Sequence, residues 1–196
     1  SLRHALRERL EPLSEDARRL GIVVAIARQE VGLDLLCRVT GMDEDELIEV
    51  VDELVEAGVV RCRRVGGEER LDISQSGLRD VLLDSLDKAE RTKLHRAIGR
   101  VLERLWRGRL GPVLEVIAWH FEQGELPAKA YPYLVRAGEH LMSRSLMAEA
   151  LTAFDRALRL ESVAREYLLL DEADRALARL LLARSRAFAH LGRWEE

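Results

Sequence analysis

The sequence predicts a mainly α-helical protein, in which a winged helix with a small β-hairpin is followed by an antiparallel array of helical hairpins. Apolar residues recur at spacings of three and four along most of the 196 residues, which is typical of packed amphipathic helices. The chain has only 4 prolines, and 47% of its residues are hydrophobic, enough to supply a core. One segment departs from this period: two short strand-like runs flank Gly66-Gly67, which predicts a tight hairpin.

The first part of the chain has the element order of a winged helix. Residues 1–13 are predicted to end a preceding helical segment, and residues 14–75 to form the winged helix itself. Ser14 and Asp43 are predicted N-caps of its first and third helices. The buried stripe of the third helix is predicted to consist of Leu47, Val50, Val51, Leu54 and Val55. The hairpin strands are predicted at 59–65 and 69–73, and the third helix holds the position that often reads DNA.

The second part of the chain is predicted to be entirely helical. Connecting helices occupy 76–110 with a break near Asp87, and tetratricopeptide-like repeats, truncated at the C-terminus, occupy 111–196. Small and large residues alternate in the pattern that such repeats need where two helices meet. The residues that carry this pattern are Leu134, Ala137, Gly138, Leu141, Ala150, Phe154 and Ala157.

This order, together with the segments "ERTKLHRAIGRVLE" and "IAWHFEQGELPAKAYPYLVRAGEHL", resembles one region of bacterial STAND-type signalling ATPases. The region follows their nucleotide-binding core, as in large ATP-dependent LuxR-type regulators and in ATPases fused to serine/threonine kinases or nucleotide cyclases. Family members often carry Phe-x-His where Ile73, Ser74 and Gln75 stand here, so a role for that histidine is not carried over.

The resemblance implies a non-catalytic regulatory and protein-interaction fragment, which relays partner sensing to an ATPase core and an output domain. The winged helix would contact the protein's own upstream ATPase domain, and the repeats would bind an unknown protein partner. Because the chain contains no GxxxxGK[ST] phosphate loop, no cofactor is expected in this fragment, and ATP or ADP is expected in an upstream domain.

Charge distribution bears on the choice between protein and DNA as the partner. The net charge is -4, which gives no global attraction to nucleic acid. The third helix, over 43–57, holds Glu46, Glu49 and Asp52 among its acidic residues and contains no Lys or Arg. DNA would repel it, so the helix, or the basic wing with Arg61, Arg63 and Arg64, is predicted to contact protein. The alternative is a DNA-binding transcriptional regulator that uses the winged helix.

The chain shows no pattern that predicts catalysis or a metal site. Its 5 histidines are far apart, and neither Cys37 nor Cys62 has a histidine at metal-ligand spacing. Arg136 and Arg144 are candidate protein-interaction residues on the repeats. The absence of a long apolar run and the small number of cysteines predict a cytoplasmic protein with reduced thiols and no membrane contact.

Overall fold

A computed structural model describes residues 2–108, 111–166 and 170–190. Over these residues the protein is mainly α-helical with one small three-stranded antiparallel sheet, which confirms the predicted fold class. The chain divides into two compact units, Ser1–Val101 and Leu102–Glu196.

The first unit begins with four helices and a two-residue strand. Their bounds are α1 Leu2–Leu10, α2 Glu15–Ala27, β1 Val31–Gly32, α3 Leu33–Thr40 and α4 Glu44–Glu56. The predicted N-cap of α2 is confirmed, because the Ser14 hydroxyl accepts a hydrogen bond from the Ala17 N–H at 3.1 Å. Since the first N–H groups of a helix have no partner within it, such a cap fixes where α2 starts.

A hairpin and a short third strand form the sheet. Strands β2 Val60–Val65 and β3 Glu68–Ile73 pair antiparallel with Val65 opposite Glu68, so that Gly66 and Gly67 alone form the turn. Their φ angles are 61° and 88°, and positive φ at both positions is the requirement of a type I′ turn. The hairpin was predicted, but β1, which pairs with the other side of β3, was not.

The turn glycines provide a test of the hairpin. A β-branched residue at a positive φ costs about 1–2 kcal/mol, so Gly67→Val is expected to lower the free energy of unfolding of the first unit by that amount. Gly66→Asn is the matched control, because asparagine tolerates the left-handed conformation and is common in type I′ turns. Urea denaturation measures both; equal losses in the two variants would contradict the turn assignment.

The core of the first unit confirms most of the buried stripe predicted for the third helix, which is α4. In α4, Leu47, Val51 and Leu54 are buried, as predicted, and Val50 is half-buried. The prediction for Val55 is wrong, because its side chain is 40% exposed. Helical spacing places Val55 beside Val51 on the surface of α4, but spacing alone does not decide how far the described residues cover each side chain.

Two further helices complete the first unit and lead into the second. Helix α5 spans Ser76–Asp84 and α6 spans Lys88–Leu105, with the predicted break at Asp87 between them. The Asp87 side chain accepts a hydrogen bond from the Glu90 N–H at 2.8 Å, and the Glu90 side chain accepts one from the Asp87 N–H at 2.9 Å. This reciprocal pair is a capping box that starts α6.

The second unit consists of consecutive helices joined by short turns. A 3-10 turn at Gly111–Val113 precedes α7 Leu114–Gln123, α8 Pro127–Ser143, α9 Met147–Arg165 and α10 Leu170–His190. Three-residue connections make α7, α8 and α9 antiparallel neighbours. At the centre of the α8–α9 pair, Gly138 lies against the fully buried ring of Phe154, so a small residue faces an aromatic one. No helix in the described part of the chain is long and apolar enough to cross a membrane.

Candidate protein-interaction surfaces

One of the predicted contact residues, Glu46, takes part in the N-terminal cap of α4. The Asp43 carboxylate accepts a hydrogen bond from the Glu46 N–H at 2.9 Å, and the Glu46 carboxylate accepts one from the Asp43 N–H at 3.1 Å. This capping box satisfies two N–H groups that the helix leaves without partners. Glu46, predicted to contact a partner, therefore already has a structural role.

A second carboxylate of α4 holds the helix against α2. Glu53 accepts hydrogen bonds from the Ser14 N–H at 2.6 Å and from the Ser14 hydroxyl at 2.7 Å. Ser14 thus caps α2 and binds α4 at the same time. Glu46 and Glu53 lie on one edge of α4, about 20° apart around the axis at 3.6 residues per turn.

The outward surface of α4 carries four acidic side chains in a straight line. Asp45, Glu49, Asp52 and Glu56 follow one another at spacings of four, three and four residues, and all four are exposed. In the described part of the chain, none of them has a hydrogen-bond or ion-pair partner. Of the predicted contact residues, Glu49 and Asp52 lie on this stripe. Asp45 and Glu56 were not predicted as contact residues, although their helical spacing places them on the same side of α4.

Two aliphatic side chains border the acidic stripe. Ile48 is 45% exposed and Val55 is 40% exposed, and they lie seven residues apart on the same edge of α4. Exposed aliphatic residues are common on protein surfaces, and these two add an apolar edge to the acidic stripe. Sequence patterning missed this pair because it assigned Val55 to the core.

The wing differs from α4 because its arginines have acidic partners. The Arg61 guanidinium lies 2.9 Å from Asp72, and Asp72 also pairs with Arg79 of α5 at 3.0 Å. The other two predicted wing residues make longer contacts: Arg63 lies 3.9 Å from Glu30, and Arg64 lies 3.8 Å from Glu69. The positive charge of the wing is therefore largely balanced by nearby carboxylates, whereas the stripe on α4 is not.

In the second unit, Arg136 lines a shallow cavity of about 230 Å³. Its guanidinium carbon lies 5.9 Å from the centre of the Tyr133 ring, and the Tyr133 hydroxyl donates a hydrogen bond to Glu103 at 2.6 Å. Burial, together with that hydrogen bond and the charge of Glu103, raises the pKa of Tyr133, so the phenol stays protonated. Lys129 lies 3.4 Å from Glu103. The tyrosine, the lysine and the glutamate of this cavity were not predicted.

The other charged residues considered on the second unit do not gather around Arg136. Arg144 is the exposed C-cap of α8, and no carboxylate pairs with it in the residues that the structure describes. Glu139 is bound by Arg179 of α10 through two contacts of 2.5 and 2.7 Å. The Glu139 carboxylate is thus engaged in an ion pair between α8 and α10.

The buried histidines have packing positions. His95 on α6 is 8% exposed, and burial, the Arg28 charge and the Arg91 charge lower its pKa to about 4. His120 on α7 is fully buried, with its ring edge-on to Trp119 at 4.8 Å. Across the described ranges, no group of three or more His, Cys, Asp or Glu side chains is arranged to hold a metal ion.

Comparison with known proteins places this chain beside part of a longer protein. The chain matches no protein family model. It is similar to an uncharacterized protein of Rhizobium meliloti (strain 1021), with 28% identity over 180 residues. The alignment covers 91% of this chain and 17% of that protein, so the chain spans less than a fifth of the relative's length.

Proposed function

We propose that this chain is a non-catalytic regulatory and protein-interaction fragment, in which the outward surface of α4 contacts another protein domain. The observation that supports the proposal is the contrast within the first unit. The four carboxylates of the stripe on α4 lack partners among the described residues and lie beside exposed Ile48 and Val55, whereas the wing arginines are paired with carboxylates. A surface of this kind attracts a basic protein and repels nucleic acid.

The wider role follows from the resemblance to STAND-type signalling ATPases. In that role α4 contacts the upstream ATPase domain of the same cytoplasmic protein, which holds ATP or ADP. The helical repeats bind a partner protein, and the result reaches an output domain that is a kinase, a cyclase or a transcription factor. The greater length of the Rhizobium relative supports the idea that such a segment works within a longer chain.

Site-specific photo-crosslinking in the full-length protein tests this function. A photoreactive amino acid at position 48 is expected to crosslink to another domain, or to another protein, and mass spectrometry identifies the crosslinked peptide. The matched control places the same amino acid at Asp80, which is exposed on α5. Equal crosslinking from the two positions, or none from position 48, would show that the α4 surface is not a contact site.

A DNA-binding measurement distinguishes the proposed function from the alternative, a DNA-binding transcriptional regulator. Residues 1–196 are expected to show no binding to duplex DNA at about 0.15 M salt, because the unpaired charge on α4 has the same sign as the phosphates. Salt-sensitive binding to duplex DNA, lost when Arg61, Arg63 and Arg64 are changed to alanine, would favour the DNA-binding regulator instead.

A further inference from the structure

The outward surface of α4 has the chemistry of a docking site for one class of partner. We call it the α4 face, and it consists of Asp45, Ile48, Glu49, Asp52, Val55 and Glu56. We propose that the α4 face binds a basic amphipathic helix of about three turns. This inference rests on the proposed function and specifies the partner element that the face accepts.

The dimensions of the face match a helix of that length. Asp45 and Glu56 are eleven residues apart, which corresponds to about 16 Å along the axis. At 3.6 residues per turn, the four acidic side chains fall within an arc of about 60°, and Ile48 and Val55 lie together along one border of it. A partner helix with basic residues at the same spacings, and aliphatic residues beside them, would match both rows along its length.

The electrostatics of α4 favour a basic partner over no partner. Neighbouring members of the stripe are three or four residues apart, a spacing at which like charges repel on a helix. Asp52 and Glu56 also lie near the C-terminus of α4, where the helix dipole disfavours negative charge. Because the helix contains no basic residue, a partner that brings arginines or lysines relieves both effects.

The aliphatic border of the α4 face favours a basic helix as the partner over a polyamine or a metal ion. A polyamine or metal ion would engage carboxylates alone and would leave Ile48 and Val55 in water. Their exposures of 45% and 40% leave apolar surface that a partner with its own aliphatic row can cover. An anionic lipid surface or a nucleic acid is excluded as the partner because its negative charge repels the negative charge of the stripe.

Fluorescence anisotropy with a defined probe tests the proposal. The probe is a labelled 16-residue peptide in which lysine and leucine form two adjacent rows along one side of a helix, with alanine at the remaining positions. A second peptide has the same composition in scrambled order. Residues 1–196 are expected to bind the amphipathic probe at least about tenfold more tightly than the scrambled one, and raising the salt from about 0.05 to 0.3 M is expected to weaken binding at least about fivefold.

Variants of the protein locate the site. The double variant Asp52→Lys/Glu56→Lys is expected to weaken binding at least about tenfold, while its thermal midpoint stays unchanged or rises, because the change removes repulsion within α4. A variant that gains stability and loses binding has not lost binding through misfolding. The matched control, Glu8→Lys/Asp80→Lys, makes the same change in net charge elsewhere on the first unit and is expected to bind within about twofold of the unchanged protein.

Three results would overturn the proposal: equal affinity for the two peptides, equal loss in the two charge variants, or binding that salt does not weaken. These results are distinct from failure of the proposed function. If position 48 still crosslinks to another domain, α4 remains a contact surface, and only the basic helical partner is excluded.

Discussion

Phe154→Ala is expected to lower the free energy of unfolding of the second unit by about 3–5 kcal/mol, the range for removing a buried aromatic ring from a core. The ring is fully buried in the α8–α9 pair, and Gly138 of α8 lies directly against it. Alanine at position 154 leaves a cavity that two packed helices cannot close by small movements.

Gly138 provides the reciprocal test. A methyl group at this position would run into the buried Phe154 ring. Gly138→Ala is therefore expected to destabilise the same unit by about 1–3 kcal/mol through overpacking, even though alanine is the better helix former. Combining Gly138→Ala with Phe154→Leu is expected to cost less than the sum of the two single changes, because the smaller side chain makes room for the methyl group.

Hydrogen exchange is the appropriate measurement, because two compact units need not unfold together. Amides of α8 and α9 are expected to lose protection in Phe154→Ala, whereas amides of the first unit serve as an internal control. Arg159→Ala, on the exposed side of α9, is expected to change protection little. If Gly138→Ala were neutral or stabilising, the tight glycine–ring contact would be contradicted.

Acidification is expected to destabilise the first unit through His95. Its pKa is lowered from 6.5 to about 4 in the folded protein, chiefly by burial and then by the charges of Arg28 and Arg91. Below pH 6.5 the His95 imidazole takes up a proton in the unfolded chain, whereas in the folded protein it stays neutral down to about pH 4. The contribution of His95 to stability is therefore fully present above pH 6.5 and falls by about 3 kcal/mol as the pH drops to 4.

Comparison of variants isolates this contribution from other titrating groups. In His95→Gln the loss of stability between pH 7 and pH 4 is expected to be about 3 kcal/mol smaller than in the unchanged protein. Gln75→Ala, which removes an exposed side chain that does not titrate, is expected to keep the full pH dependence. The measurement is the urea denaturation midpoint of the first unit at several pH values; the same slope in both variants would mean that His95 is not the responsible group.

The elements that sequence patterning predicted correctly are those with local causes. The Ser14 and Asp43 caps act on N–H groups three residues away, and the Gly66-Gly67 turn depends on its own backbone angles. Strand β1 was missed because it has two residues and exists only through pairing with Leu71 and Arg70, some forty positions later. No local pattern can signal a strand that short.

The proposed contact surface was only partly predictable for a similar reason. The acidic character of α4 is evident in the sequence, but the roles of its members differ according to distant neighbours. Glu53 is occupied because Ser14 folds against it, and the Val55 side chain is left 40% exposed. The pairing of Arg61 with Asp72 crosses the hairpin, and Asp72 in turn meets Arg79 of the next helix. Which charges remain without partners is therefore a tertiary property.

The paired arginines of the wing have a consequence for aggregation. Strand β2 is an edge of the sheet, since β3 lies between it and β1. An edge strand offers unpaired N–H and C=O groups to any other strand, and the segment "VVRCRRV" without its arginines would be a continuous run of β-forming apolar residues. Arg61, Arg63 and Arg64 interrupt that run with charge and bulk. These arginines are thus expected to hinder pairing of β2 with a strand of another molecule, whether or not the wing binds a partner.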